Sequence, residues 1–188
     1  YKGQLQCSPG PAGWENRAFP VMAGGDFALI KAVEGFEDFT DFGKKQIADL
    51  GLSQRDVVFA ITEGGETSFV IGTAWQGVAV GAKVYFVYNN PDEILCQHVQ
   101  RSREVIQEPR IEKVNLTTGP MGITGSTRMQ ATSIQLAVLV TVLEMVIRDL
   151  MRELEPDGPC ALDSAAVPAQ FLAQLETLHA CLLYTSDA

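Results

Sequence analysis

Apolar positions in this chain gather into short unbroken runs, and each run ends in a polar, glycine-bearing turn. Val57-Val58-Phe59-Ala60-Ile61 and Lys83 to Tyr88 are the clearest. An unbroken apolar run of this length predicts a parallel strand covered on both faces. Lys113 to Thr117 predicts a third, shorter strand, and Phe19 to Ala23 fits another before the Gly24-Gly25-Asp26 turn. Between these runs the apolar spacing changes to a helical period. Asp26 to Ala32 reads as a short helical piece. Glu37 to Leu50 reads as a longer helix with Phe39, Phe42, Ile47 and Leu50 on its buried side, stopped by Gly51. Phe69 to Val80, Asp92 to Gln107, Met129 to Leu154 and Ala169 to Leu182 read as further helices.

The order strand, loop, helix repeats, which is the rhythm of an open parallel sheet with crossover helices. The fold class is therefore α/β, a three-layer α-β-α sandwich. Residues 1–154 form the domain, 155–168 a linker rich in Pro and Gly, and 169–182 a helix that could lead into a second domain. The last residues, 183–188, read as translated sequencing adapter, and the start at Tyr1 reads as an N-terminal truncation.

With 188 residues, one α/β domain is accommodated and two full domains are not. The net charge of −9 argues against nucleic acid, which needs clustered Lys and Arg. An anionic small ligand needs only a local cradle of backbone N–H groups. Cys7, Cys96, Cys160 and Cys181 form no CxxC pair, and His98 and His179 are the only histidines, so no metal site is expected. Scattered cysteines read as reduced thiols, hence a cytoplasmic chain. The apolar stretch Ile134 to Ile147 is interrupted by Gln135, Thr141 and Glu144, which predicts a buried helix and no membrane span.

Three segments could carry chemistry. The loop Thr62-Glu63-Gly64-Gly65-Glu66-Thr67-Ser68 follows a strand and opens a helix. First-turn amides can hold a phosphate there, with Thr62, Thr67 and Ser68 adding hydroxyls and Gly64 and Gly65 allowing close approach. An ordinary βα turn with capping hydroxyls explains the same residues. Thr124-Gly125-Ser126-Thr127-Arg128 again joins glycine, hydroxyls and a helix start, and an N-cap with a solvated arginine is the simpler account. In Val33-Glu34-Gly35-Phe36-Glu37-Asp38, three carboxylates flank a glycine; they suit a helix N-terminus, and Glu37 also suits a general base or a sugar-hydroxyl acceptor.

Taken together, Ala23-Gly24-Gly25-Asp26, Val33 to Asp38, Asp56-Val57-Val58, Gly119-Pro120 and Thr124 to Met129 resemble the N-acetylmuramic acid 6-phosphate etherases and the related glucokinase regulatory protein, both built on the SIS (sugar isomerase) domain. The resemblance runs from about Cys7 to Leu150. It implies a flavodoxin-like sandwich on a parallel sheet of five strands and a homodimer that completes the site. It also implies a phosphorylated sugar ligand, with no cofactor. Thr62, Gly64, Gly65, Thr67, Ser68, Ser126, Thr127, Arg128 and Glu34 fall among the phosphate- and sugar-binding residues, and Glu37 falls on the base that starts elimination of D-lactate.

The departures are specific. Gln6 stands where the etherases have a second catalytic glutamate, Glu66 where they have an arginine, and Met121 where a glutamate follows Gly-Pro. The family's first glycine-rich loop would lie before Tyr1. These departures favour a sugar-phosphate-binding sensor or regulator without catalysis. An etherase-type lyase is the alternative, and a sugar-phosphate isomerase a further one.

Overall fold

The computed structural model describes residues 17–31, 35–154 and 163–186, with side chains described as far as residue 180. Three strands form one sheet in the order β1 (Val57–Ile61), β2 (Lys83–Tyr88), β3 (Ile111–Asn115). The flanking bonds Lys83 N–H to Asp56 O (3.1 Å) and Asn89 N–H to Glu63 O (3.0 Å) advance together along both chains, as parallel strands require. The α/β class and the parallel sheet are thus as expected, although the described residues carry three strands where the resemblance implies five. Phe19 to Ala23 is not a strand: the Gly25 N–H returns to Met22 O (2.9 Å), and this turn leads into a 3₁₀ stretch, Gly25–Leu29.

The chain divides into two compact units. The first comprises the described residues of Tyr1–Thr62, Glu66–Phe86 and Asp92–Lys113. Its core is Val58 and Ala60 of β1, Val84 and Phe86 of β2, Ile111 of β3, and Phe69, Ile71, Ala74 and Val78 of helix α2 (Ser68–Val80). Gly77 lets α2 lie close on the sheet: a Cβ there would meet Val84 Cγ2 at 2.7 Å. Gly81, at φ 79°, ends the helix.

Helix α1 (Thr40–Ala48) packs against α2 more closely still. A Cβ on Gly43 would stand 2.0 Å from Phe69 O, and one on Gly72 would stand 2.0 Å from Thr40 O. Backbone touches backbone at this crossing. The expected buried side of α1 is corrected accordingly: Gly43 and Ile47 are its buried residues, while Phe39, Phe42 and Leu50 are exposed. The glycine contact sets the helix rotation. The displaced rings cluster outside, Phe42 stacking on Phe36 at 5.5 Å and meeting Phe39 at 5.2 Å.

Two further expectations of the first unit change. Asp92 to Gln107 is two helices, α3 (Asp92–His98) and α4 (Gln100–Gln107), because Val99 is extended (φ −126°, ψ 102°). Strand β1 is covered on one face only. Val58 and Ala60 are buried, whereas Val57, Phe59 and Ile61 are 54%, 48% and 42% exposed among the described residues. Phe59 stacks on Tyr85 at 5.1 Å on that open face. The apolar run reflects the strand's residue types, and alternation decides which of them this sheet covers.

The second unit comprises Glu63–Gly65, Val87–Pro91 and the described residues from Val114 onward. Helix α5 (Gln130–Leu154) buries Ala131 and Gln135. It was expected to be buried along its apolar stretch, yet Leu136, Val140, Leu143 and Val146 stay exposed. Its main neighbours beyond residue 160 are a 3₁₀ turn, Ser164–Ala166, and helix α6 (Val167–Ser186), which are too few to cover a 25-residue helix. The turn is capped by Asp163, whose Oδ1 accepts from Ala165 N at 3.0 Å. Helical structure therefore enters the segment read as linker, and Pro168 sits in the first turn of α6, where its missing N–H costs nothing. No helix among the described residues is long and apolar enough to cross a membrane.

Candidate functional site

The loop after β1 is held from both ends. Thr62 is buried, and its Oγ1 shares a 3.0 Å hydrogen bond with Thr67 Oγ1. Thr67 is the extended N-cap of α2 (φ −65°, ψ 114°), and its side chain makes no capping bond; its carbonyl accepts from Ile71 N at 3.0 Å. The hydroxyls that the sequence offered as ligands, Thr62 and Thr67, are therefore brought together where the first amides of α2 have no intrahelical acceptor. Ser68 opens the helix beside them, half-buried. Arg101 of α4, which sequence reasoning missed, reaches this loop: its Nε donates to Glu66 O at 2.6 Å.

Within the second unit the glycines divide their labour. Gly65, buried at φ 82°, takes the left-handed conformation that a side chain resists. Gly64 offers its carbonyl to Asn90 Nδ2 at 3.0 Å. Glu63 turns its carboxylate to the start of α5, accepting from Thr127 Oγ1 on one oxygen and from Thr132 Oγ1 on the other. The two glycine loops therefore meet through the Glu63 carboxylate.

The second loop, 118–128, is folded on itself. Gly119 (φ 87°) and Gly125 (φ 78°) supply the turns, and Ser126 N–H bonds Ile123 O at 3.0 Å. Gln130, the first residue of α5, accepts from Gly122 N at 3.2 Å and donates to Thr118 Oγ1 at 2.9 Å. Ser126 and Thr127 are half-buried and Arg128 is exposed. Beneath them lies a polar ladder that the sequence reading did not single out. Gln135 Nε2 donates to Asn89 Oδ1 at 2.6 Å, and Asn89 Nδ2 donates to Leu116 O at 2.9 Å. Two asparagines closing an apolar strand at its carboxyl end were the available signal.

Glu37 lies on the 3₁₀ turn Phe36–Asp38, capped by Gly35 at φ 83°. That turn packs against α2, the helix that leaves the Thr62–Ser68 loop. Glu37 is exposed and has no hydrogen-bond partner among the described residues. Glu34 and Gln6 lie outside the described residues.

No protein-family model matches the chain. Curated relatives do. The chain is 32% identical to an N-acetylmuramic acid 6-phosphate etherase of Aliivibrio fischeri over 136 residues, 71% of this chain and 41% of that protein. It is 36% identical to the etherase of Deinococcus radiodurans over 126 residues, 67% of this chain and 38% of that protein. The etherase of Yersinia pestis is 30% identical over 170 residues, 85% of this chain and 54% of that protein. The chain thus spans about half the length, or less, of the curated relatives it matches. Over two thirds or more of its own residues, the chain is similar to the N-acetylmuramic acid 6-phosphate etherases.

Proposed function

We propose that this chain binds a phosphorylated amino sugar of the N-acetylmuramic acid 6-phosphate kind and that Glu37 starts elimination of its lactyl group. The observation that carries the binding half is the Thr62–Thr67 hydroxyl pair at the mouth of α2. A phosphate oxygen entering there exchanges one 3.0 Å hydroxyl–hydroxyl bond for bonds from both threonines and from first-turn amides. Each charge-assisted bond of this kind contributes roughly 1.5–3 kcal/mol. Gly64 and Gly65 of the first loop and Ser126 and Arg128 of the second join the reading through the resemblance to the etherases. Thr127 is committed to Glu63, which leaves the Ser126 hydroxyl as that loop's offer to a sugar.

The catalytic half rests on Glu37. A carboxylate on an exposed turn, with no hydrogen-bond partner among the described residues, can take the proton from sugar C2. As that proton moves to Glu37, the C3–O bond to the lactyl group breaks, lactate leaves and a C2–C3 double bond forms; water then adds across it. The similarity to proteins named as etherases supports this chemistry. The homodimer that the resemblance implies belongs to the same proposal.

A second reading, binding without turnover, is favoured by Glu66, an acid where the etherases carry an arginine, and by Met121 in place of a glutamate. One experiment separates the two. Lactate release from N-acetylmuramic acid 6-phosphate, lowered about 10²–10⁴-fold in Glu37→Gln with binding retained, establishes the lyase. Binding of the sugar phosphate with no lactate from the wild-type chain establishes the second reading. No binding removes both.

A further inference from the structure

The loop that receives the phosphate in this reading brings two acids of its own and no base. The Glu63 carboxylate is taken up by two hydroxyls in the second unit. Glu66 is exposed, and its side chain has no partner among the described residues. A dianionic phosphate held by amides and hydroxyls alone would face this carboxylate at short range, and like charges at that range repel.

The compensating cation is on α4. Arg101 and Arg103 are near neighbours with different assignments. Arg103 is spent inside the helical hairpin, donating to Cys96 O and, at 3.2 Å, to Gln97 O, the exposed carbonyls that end α3. Arg101 turns the other way and moors itself through Nε alone, on Glu66 O. Its two terminal nitrogens have no protein partner among the described residues. Glu104, the nearest acid along α4, is engaged by Gln100 Nε2 at 3.0 Å.

We infer that Arg101 is a specificity-determining residue for the ligand's phosphate: anchored by one nitrogen to the Glu66 carbonyl, it presents the fork of its other two to an anion seated on the Thr62–Ser68 loop. The inference rests on the proposed reading of that loop as a phosphate seat. Chemically, a guanidinium with Nε occupied and two parallel N–H groups free matches a phosphate edge, which an ammonium cannot do. The break at Val99 starts α4 afresh, and Arg101 in its first turn reaches the loop. Arg101 thereby restores, from a different element, the positive charge that Glu66 removes from the loop.

The test is calorimetric titration of the full chain and its Arg101→Gln and Arg101→Lys variants with N-acetylmuramic acid 6-phosphate and with the unphosphorylated sugar, at two salt concentrations. Arg101→Gln is expected to bind the phosphorylated sugar about 10–100-fold more weakly. It should leave the unphosphorylated sugar unaffected and flatten the salt dependence, with Arg101→Lys recovering part of the loss. Equal loss for both sugars would mean that Arg101 only shapes the loop, and it overturns the inference. Wild-type affinity in Arg101→Gln overturns it too and leaves the phosphate seat standing. A wild-type chain that ignores the phosphorylated sugar takes down the seat and the inference together.

Discussion

The two glycine loops have the same ingredients and are built to opposite ends. In Thr62–Ser68 the hydroxyls face each other across the mouth of α2, and the helix begins at once. In 118–128 the polar groups are tied to neighbours, with Gln130 stapling Gly122 and Thr118, and Thr127 paired to Glu63. The first loop spends its bonds where a ligand can replace them. The second spends them on fixing its own path. A glycine–hydroxyl signature therefore marks a helix start, and the partners of the hydroxyls decide whether that start is a seat or a brace.

The comparison can be broken at the scaffold first. Gly72→Ala pushes a methyl into Thr40 O, with an ideal contact of 2.0 Å against backbone. We expect a loss of about 1–3 kcal/mol or more, read as a lower urea midpoint, and with it loss of the α2 start on which the first loop depends. An unchanged midpoint would show that α1 and α2 separate freely.

The next effect distinguishes the loops directly. Thr67→Ala should weaken sugar-phosphate binding several-fold with little change in stability. Thr127→Val should do the reverse, because it leaves one Glu63 oxygen short of a donor, at a cost of about 1–3 kcal/mol. Titration and urea unfolding on both variants check this; identical profiles would erase the distinction between seat and brace.

The smallest effect is set by acid. Arg110 bonds to the Glu108 carboxylate and holds it down from 4.5 to about 2. Ser53, through its hydroxyl and amide, also lowers Asp56. A depressed carboxylate contributes stability that is complete above its unfolded value and disappears as pH falls through its folded one. Stability should therefore decline between about pH 4.5 and about 2 through Glu108. Arg110→Gln should blunt that decline slightly, because surface pairs contribute little. An identical acid profile in that variant would assign the decline elsewhere.

Strands β1 and β2 and the helices after them were legible because apolar runs and helical periods stand out against polar turns. Strand β3 begins at Ile111, two residues before the apolar pattern placed it; Ile111 is buried, and Glu112 beside it pairs across to Lys83 (2.8 Å). A charge that pairs across strands looks like loop in one dimension. The rotation of α1 was hidden for a related reason: a glycine carries no hydrophobic signal, yet Gly43 chooses the buried face. Candidate residues on the loops could be read because glycine and hydroxyls mark helix starts. Glu63, Gln130 and Arg101 could not, because their meaning lies in partners distant along the chain, such as Thr127 for Glu63 or Glu66 for Arg101.

The crossing at Gly43 and Gly72 also governs motion. Two helices in backbone contact cannot slide without collision, so α1, the turn that carries Glu37 just before it, and the first turns of α2 travel as one rigid lever. Any closure over a ligand must then come from elements outside that lever, and the backbone that carries Glu37 is set against α2 before a sugar arrives.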